Sequence, residues 1–171
     1  DQRRPHLFRL HIERPPSLAT AVLEASGRIS AEGRVLEAVS IDEEALRRHK
    51  LAGINSVAIV LIHGPLHPAT EIKVEAICRK IGFEHISIGH KVAPSRGYLA
   101  RLHTTLADAA LTPLLPQTEG LYMRSDGGLS DVSDWSGANA VLSGPAGGVV
   151  ATAAIAEAAG IDAAFGLDMG G

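Results

Sequence analysis

Between Gly53 and Pro68 the chain carries Ser56-Val57-Ala58-Ile59-Val60-Leu61-Ile62, an apolar run with no polar side chain after its first residue. A strand half-open to water alternates, so a run without alternation has to be covered on both faces. Its flanks supply the covers. Asp42 is placed to cap a helix that has Glu43 and Glu44 in its first turn, reaches about Leu51 and stops at Gly53. Pro68 opens a second helix over 69–81, closed by Gly82, and His85-Ile86-Ser87-Ile88 reads as the next strand. Helix, buried strand, helix and strand on short connections specify a parallel sheet with crossover helices, and therefore an α/β fold.

Around this unit, spanning 41–97, the patterning is different. Residues 1–40 are punctuated by Pro5, Pro15 and Pro16, with turn signals at Ser26-Gly27-Arg28 and Ala31-Glu32-Gly33. They read as an extended tail of a preceding region or as a strand pair packed on the 41–97 unit, and Leu7, Phe8, Leu10 and Ile12 suit one strand. Pro94-Ser95-Arg96-Gly97 is linker-like and separates a second α/β portion, 98–171. That portion is expected to contain a helix over 98–111 halted near Pro113, a strand over 121–124, a turn at Ser125-Asp126-Gly127-Gly128 and a strand over 139–142. An alanine-rich helix over 146–159 and a terminal strand over 163–169 complete it. The chain opens on Asp1 without an initiator Met and closes on a glycine pair, which reads as a piece of a larger protein.

Composition removes several classes of function. A hydrophobic content of 46% over 171 residues supports a core and argues against disorder. A net charge of −3 offers no broad basic surface for nucleic acid, and 4% aromatic residues leave few platforms for stacking bases. No apolar stretch approaches the roughly 18 to 20 residues that span a bilayer. One cysteine, Cys78, excludes an internal disulfide and fits a reducing compartment, so the cytoplasm is the expected location. Cys78 sits in a helical run, where packing explains it better than catalysis. His63, His67, His85, His90 and His103 are scattered near element ends, with none at metal-ligand spacing.

Three segments could carry chemistry. Ser143-Gly144-Pro145-Ala146-Gly147-Gly148 joins a strand to a helix, so its backbone N–H groups and the helix dipole suit an anion. Glycines that let the helix pack closely on a sheet explain it equally well. Ser125 and Asp126 could present a hydroxyl and a carboxylate at a sheet edge, although Asp-Gly is also a standard turn choice. Asp168, Gly170 and Gly171 end an apolar run with a carboxylate beside bare backbone, which suits Mg²⁺ and phosphate oxygens. Arg101, Thr104, Thr105 and Asp108 recur at helical spacing, as a site or a solvated helix face would.

Taken together, Tyr122-Met123-Arg124-Ser125-Asp126-Gly127-Gly128-Leu129, Ser136-Gly137, the Ala140 to Val150 segment and Gly166-Leu167-Asp168-Met169-Gly170-Gly171 resemble the hydantoinase A / 5-oxoprolinase family. His103-Thr104-Thr105 through Asp108-Ala109 to Leu111-Thr112-Pro113 is similar to a helix of that family, and Arg4-Pro5, Leu7-Phe8 and Leu10 resemble its preceding segment. The Met-Arg-Ser-Asp-Gly-Gly form favours the 5-oxoprolinase branch. Two departures stand out: only Pro116-Gln117-Thr118-Glu119-Gly120 lie where the family has several more helical turns, and Ala110 replaces a common tyrosine.

The resemblance implies a fragment of an actin-like, sugar-kinase-like ATPase fold with ATP and Mg²⁺ in a cleft between lobes. It implies a cyclic-amide hydrolase that opens 5-oxoproline or a hydantoin after carbonyl phosphorylation, working with a hydantoinase-B-type subunit or fused domain. In that scheme Asp168 orients Mg²⁺ or water, and Gly170 and Gly171 contact phosphate. Ser143, Gly144, Gly147 and Gly148 shape the nucleotide cleft, with Ser125 and Asp126 near the substrate. An ATP-dependent ketone carboxylase subunit and a noncatalytic structural or regulatory domain are the alternatives. The phosphate-binding hydroxyls that come after the terminal glycines in the family lie outside these residues, so the isolated chain is expected to be inactive.

Overall fold

The computed structural model describes residues 8, 10–11, 16–95, 97–115 and 118–169. Leu7 and Ile12 fall outside them, and Phe8 and Leu10 are exposed. The first regular structure is an antiparallel pair, β1 (Ser26–Ile29) and β2 (Val35–Ser40), so this part of the extended region is a strand pair. Gly33 closes its turn at φ +83°, a left-handed conformation that favours glycine. Leu23, Val39 and Ile41 carry the pair onto the core.

The expected parallel unit comes next in the chain. In α1 (Glu43–Leu51) the Asp42 carboxylate accepts the Ala45 N–H at 2.8 Å, while Arg48, His49 and Lys50 occupy the last turn. β3 (Ser56–Ile59) pairs in parallel with β4 (His85–Ile88), Val57 opposite Ile86 and Ile59 opposite Ile88. Between them α2 (Ala69–Ile81) ends at Gly82, whose φ of +100° turns its N–H back onto the carbonyls of Cys78 and Arg79. Leu46, Ile59, Val74, Cys78 and Phe83 form the buried core, with Val57 and Ile86 packed against it.

The other face of this sheet is held by α4 (Tyr98–Leu111), reached through the one-turn α3 (Gly89–Val92). The Ser56 hydroxyl donates to the Ala109 carbonyl and the Ser87 hydroxyl to the Asp108 carboxylate, so period-two alternation sends Val57 and Ile86 one way and Ser56 and Ser87 the other. The continuous apolar run is thus covered on both faces. Its strand stops at Ile59 rather than Ile62, because the polar backbone of Leu61 and Ile62 is taken by side chains instead of a neighbouring strand.

Beyond α4, β5 (Leu121–Met123) and β6 (Leu129–Asp131) form an antiparallel hairpin around the expected turn. Tyr122 stacks on Trp135 with ring centroids 4.4 Å apart, and Trp135 Nε1 donates to the Met123 carbonyl. Three expectations are corrected by this half of the chain. Asn139–Leu142 is not a strand: residues through Ala140 belong to the one-turn α5 (Gly137–Ala140). Ser143–Gly148 is not a loop but the opening of α6 (Ser143–Ala158). Residues 163–169 form no strand, since no neighbouring strand among the described residues offers them a ladder.

Candidate functional site

Two polar constellations stand out. The first is buried at the loop ends of β3 and β4. Glu71, in the first turn of α2 and fully buried, accepts the Leu61 N–H at 2.8 Å through one oxygen. Its other oxygen takes the His90 N–H at 2.9 Å and meets His90 Nδ1 at 2.7 Å. Arg101, also fully buried, donates to the carbonyls of Ser95, Leu61 and Ile62 at 2.6, 2.6 and 3.0 Å. Four residues further on, the Thr105 hydroxyl donates to the Arg101 carbonyl. Asp108 takes the Ser87 hydroxyl at 2.7 Å and the Ala138 N–H at 2.8 Å.

The helical spacing of Arg101, Thr105 and Asp108 was therefore a signal for a buried polar stripe, not a solvated face; Thr104 alone of the four points out. Sequence reasoning missed Glu71 and the role of His90. Each looks ordinary locally, Glu71 as a first-turn carboxylate and His90 as a loop histidine. Only the fold brings the Leu61 N–H and His90 to the Glu71 carboxylate. Every carboxylate oxygen here is engaged by chain atoms, which makes the cluster a framework for loops.

The second constellation surrounds α6. Its first turn has no side-chain cap, leaving N–H groups at the positive end of a 16-residue helix. The segment after Gly160 runs back along the helix: a Cβ on Gly166 would sit 2.5 Å from Thr152 Oγ1. Between helix and returning segment lies an open groove of about 820 Å³ whose lining includes Pro145, Gly148, Thr152 and Asp168. Asp168 thus shares one opening with Pro145 and Gly148, whereas Ser143, Gly144 and Gly147 are not part of its lining. Asp168 is exposed. Gly170 and Gly171 lie outside the described residues.

The glycines of α6 are informative through what does not touch them. A Cβ on Gly144 or Gly148 would meet no described atom within 4 Å, and on Gly147 only Met123 Cγ at 3.9 Å. Close packing on a sheet does not account for them among the described residues. Ser125 and Asp126 occupy the turn between β5 and β6. Asp126 pairs with Arg124 at 2.7 Å and accepts the Gly128 N–H at 3.0 Å, a self-contained turn. Ser125 donates its hydroxyl to the Asn139 carbonyl at 2.6 Å and accepts the Leu142 N–H at 3.0 Å, tying the hairpin to the entry of α6.

Among the described residues, no cluster of three His, Cys, Asp or Glu side chains is arranged to hold a metal. Asp168, which lines the groove together with Glu157 and Asp162, nevertheless suits Mg²⁺, which keeps several waters and takes one or two carboxylates. Bare backbone facing an open groove suits phosphate. These features fit a magnesium nucleotide.

An α/β chain in which a carboxylate and a glycine of a helix start line one open groove is the class that fold and groove define. Residues 1–82 match the family model described as hydantoinase/oxoprolinase N-terminal region, and residues 92–171 match the one described as hydantoinase/oxoprolinase. The chain belongs to the hydantoinase/oxoprolinase family. It is 32% identical over 193 residues to 5-oxoprolinase of Saccharomyces cerevisiae, an alignment covering 88% of this chain and 15% of that protein. That alignment is longer than the whole 171-residue chain, so the yeast protein carries additional residues between matched positions.

Two solved structures share the fold. The ATP-dependent caprolactamase from Pseudomonas jessenii superposes with a TM-score of 0.63 at 25% identity, covering 81% of this chain and 23% of the enzyme chain. Nucleotide-free acetone carboxylase gives a TM-score of 0.59 at 20% identity, covering 80% of this chain and 22% of its own. The chain thus spans less than a quarter of each relative's length. Among the described residues no helix is long and apolar enough to cross a membrane.

Proposed function

We propose that this chain forms part of an ATP-dependent cyclic-amide hydrolase acting on 5-oxoproline or a closely related lactam, built on an actin-like nucleotide-binding fold. The observation that carries the reading is the groove that Asp168 lines together with Gly148 and Pro145 at the start of α6. Names of relatives support it: yeast 5-oxoprolinase at 32% identity and an ATP-dependent caprolactamase at 25% both point to lactams.

A five-membered lactam is a poor electrophile because its nitrogen donates into the carbonyl. ATP supplies a phosphoryl group for the carbonyl oxygen, after which water can open the ring. This chain's share is positioning and charge neutralisation. The uncapped N–H groups of Ser143 and Gly144 would bind phosphate oxygens, and the missing side chains at Gly144, Gly147 and Gly148 would let those oxygens approach. Asp168 would hold Mg²⁺ directly or through water, and Gly170 and Gly171, which follow it in the sequence, would contact phosphate. Ser125 and Asp126 lie on the substrate side, and a hydantoinase-B-type subunit or domain completes ring opening.

Calorimetric titration of the full-length protein with Mg-ATP tests this. Binding should weaken at least about tenfold in Asp168→Ala, with no shift in unfolding midpoint, because the Asp168 side chain is exposed. Absence of binding to the unmutated protein would support a noncatalytic domain instead. Carbon fixation onto a ketone without lactam opening would identify a carboxylase.

A further inference from the structure

The start of α6 is held from a distance. Resting on the nucleotide reading above, we propose that Asp108 is a positioning residue for the glycine-rich entry of α6, acting through the one-turn helix α5 and Ser125. One Asp108 oxygen is anchored to the sheet by the Ser87 hydroxyl at 2.7 Å, and the other accepts the Ala138 N–H at 2.8 Å. One helical turn later, Thr112 Oγ1 accepts the Gly137 N–H at 2.9 Å. α5 has no side-chain cap of its own, so α4 caps it from outside.

Placement of α5 fixes the Asn139 carbonyl, which accepts both the backbone N–H and the hydroxyl of Ser125, at 2.7 and 2.6 Å. The oriented Ser125 hydroxyl then accepts the Leu142 N–H at 3.0 Å, one residue before α6 begins. Strand β4, helix α4, helix α5, the hairpin turn and α6 are therefore joined by consecutive hydrogen bonds. Contact is tight where slack would be most harmful: a Cβ on Gly137 would lie 2.8 Å from the Asp108 carbonyl, Leu111 Cβ and the Thr112 nitrogen. The charge of Asp108 is not needed for this. An asparagine could accept from Ala138 through its oxygen and donate to the Ser87 hydroxyl through its amide.

The test pairs amide hydrogen exchange at Leu142 with Mg-ATP affinity in the full-length protein. Asp108→Ala should speed exchange at Ala138 and Leu142 and raise the Kd about tenfold, whereas Asp108→Asn should stay within about twofold of the unmutated protein. Ser87→Ala leaves the Ala138 bond in place, so it should lower the unfolding midpoint while leaving Leu142 exchange and Kd within about twofold. Should Asp108→Ala not fold, Thr112→Val reads the same route, with faster exchange at Gly137 and Leu142. Unchanged Leu142 exchange in both Asp108→Ala and Thr112→Val overturns the proposal, as does Asp108→Asn behaving like alanine, or Ser87→Ala matching Asp108→Ala on every readout. If the unmutated protein binds no Mg-ATP, the nucleotide reading fails, and exchange at Leu142 still decides whether Asp108 governs α6.

Discussion

Glu71 and Arg101 hold the two polar atoms of one residue, Leu61: the carboxylate accepts its N–H at 2.8 Å and the guanidinium donates to its carbonyl at 2.6 Å. The loop leaving β3 is thereby fixed by one buried charge of each sign, without a direct ion pair between them. Removing the carboxylate strands the Leu61 and His90 N–H groups together. Glu71→Ala should therefore destabilise the protein by about 3 kcal/mol, given a cost near 1 to 3 kcal/mol for each buried unsatisfied group. Glu71→Gln keeps one acceptor and should lose less. Urea unfolding with an unchanged m-value checks both, and a loss under about 1 kcal/mol for alanine contradicts the account.

Cys78 gives a prediction at high pH. Burial, reinforced by the nearby Glu75 carboxylate, pushes its thiol up to about 11 from an ordinary 9.0. The folded state holds the proton more tightly than the unfolded chain, so this contribution is intact below pH 9 and is lost as the pH rises from 9 to 11. The stability advantage of the unmutated protein over Cys78→Ala should shrink across that window by on the order of 2 kcal/mol. Equal slopes for both proteins would contradict it. At pH 8 the buried thiol should resist iodoacetamide until the protein unfolds.

How much of this was legible in the residues depends on who supplies the partner. α1, α2 and α4 are bounded by their own capping and stop residues, Asp42, Gly82 and Pro113, and sequence placed all three. The Asn139–Leu142 run is too short for periodicity to separate strand from helix, and its outcome is decided by Asp108 and Thr112, about thirty residues away in the chain. The terminal run carries strand character, but a strand needs a neighbour. At the candidate site, the carboxylate and the glycines could be named from their chemistry. The groove that Asp168 shares with Gly148 could not, because it depends on the chain reversing after Gly160, which adopts φ +68°.

Asp126 separates turn from catalyst. Its carboxylate is exposed and occupied by Arg124 and the Gly128 N–H. Asp126→Asn keeps the turn contact and should change stability by no more than about 0.5 kcal/mol. If the carboxylate also serves the substrate, lactam opening should fall by at least about tenfold in the same variant. Activity within twofold of the unmutated enzyme would leave Asp126 a turn residue only.

Glycine replacements can distinguish packing from ligand approach within one protein. At Gly137, the 2.8 Å contacts to Asp108, Leu111 and Thr112 include two backbone atoms that cannot swing away, so Gly137→Ala should cost roughly 2 kcal/mol or more. At Gly144 and Gly148 an added methyl meets nothing among the described residues within 4 Å, and alanine is the better helix former by about 1 kcal/mol. Gly148→Ala should therefore leave the unfolding midpoint unchanged or raise it, while Mg-ATP affinity falls by about tenfold because the methyl occupies the phosphate's path. Gly144→Ala should behave alike, with a smaller gain in stability so close to the helix end. Opposite movement of stability and affinity is the signature of glycines kept for a ligand. A destabilised Gly148→Ala would show that other parts of the protein pack against this helix face, and the nucleotide would then have to be sought elsewhere.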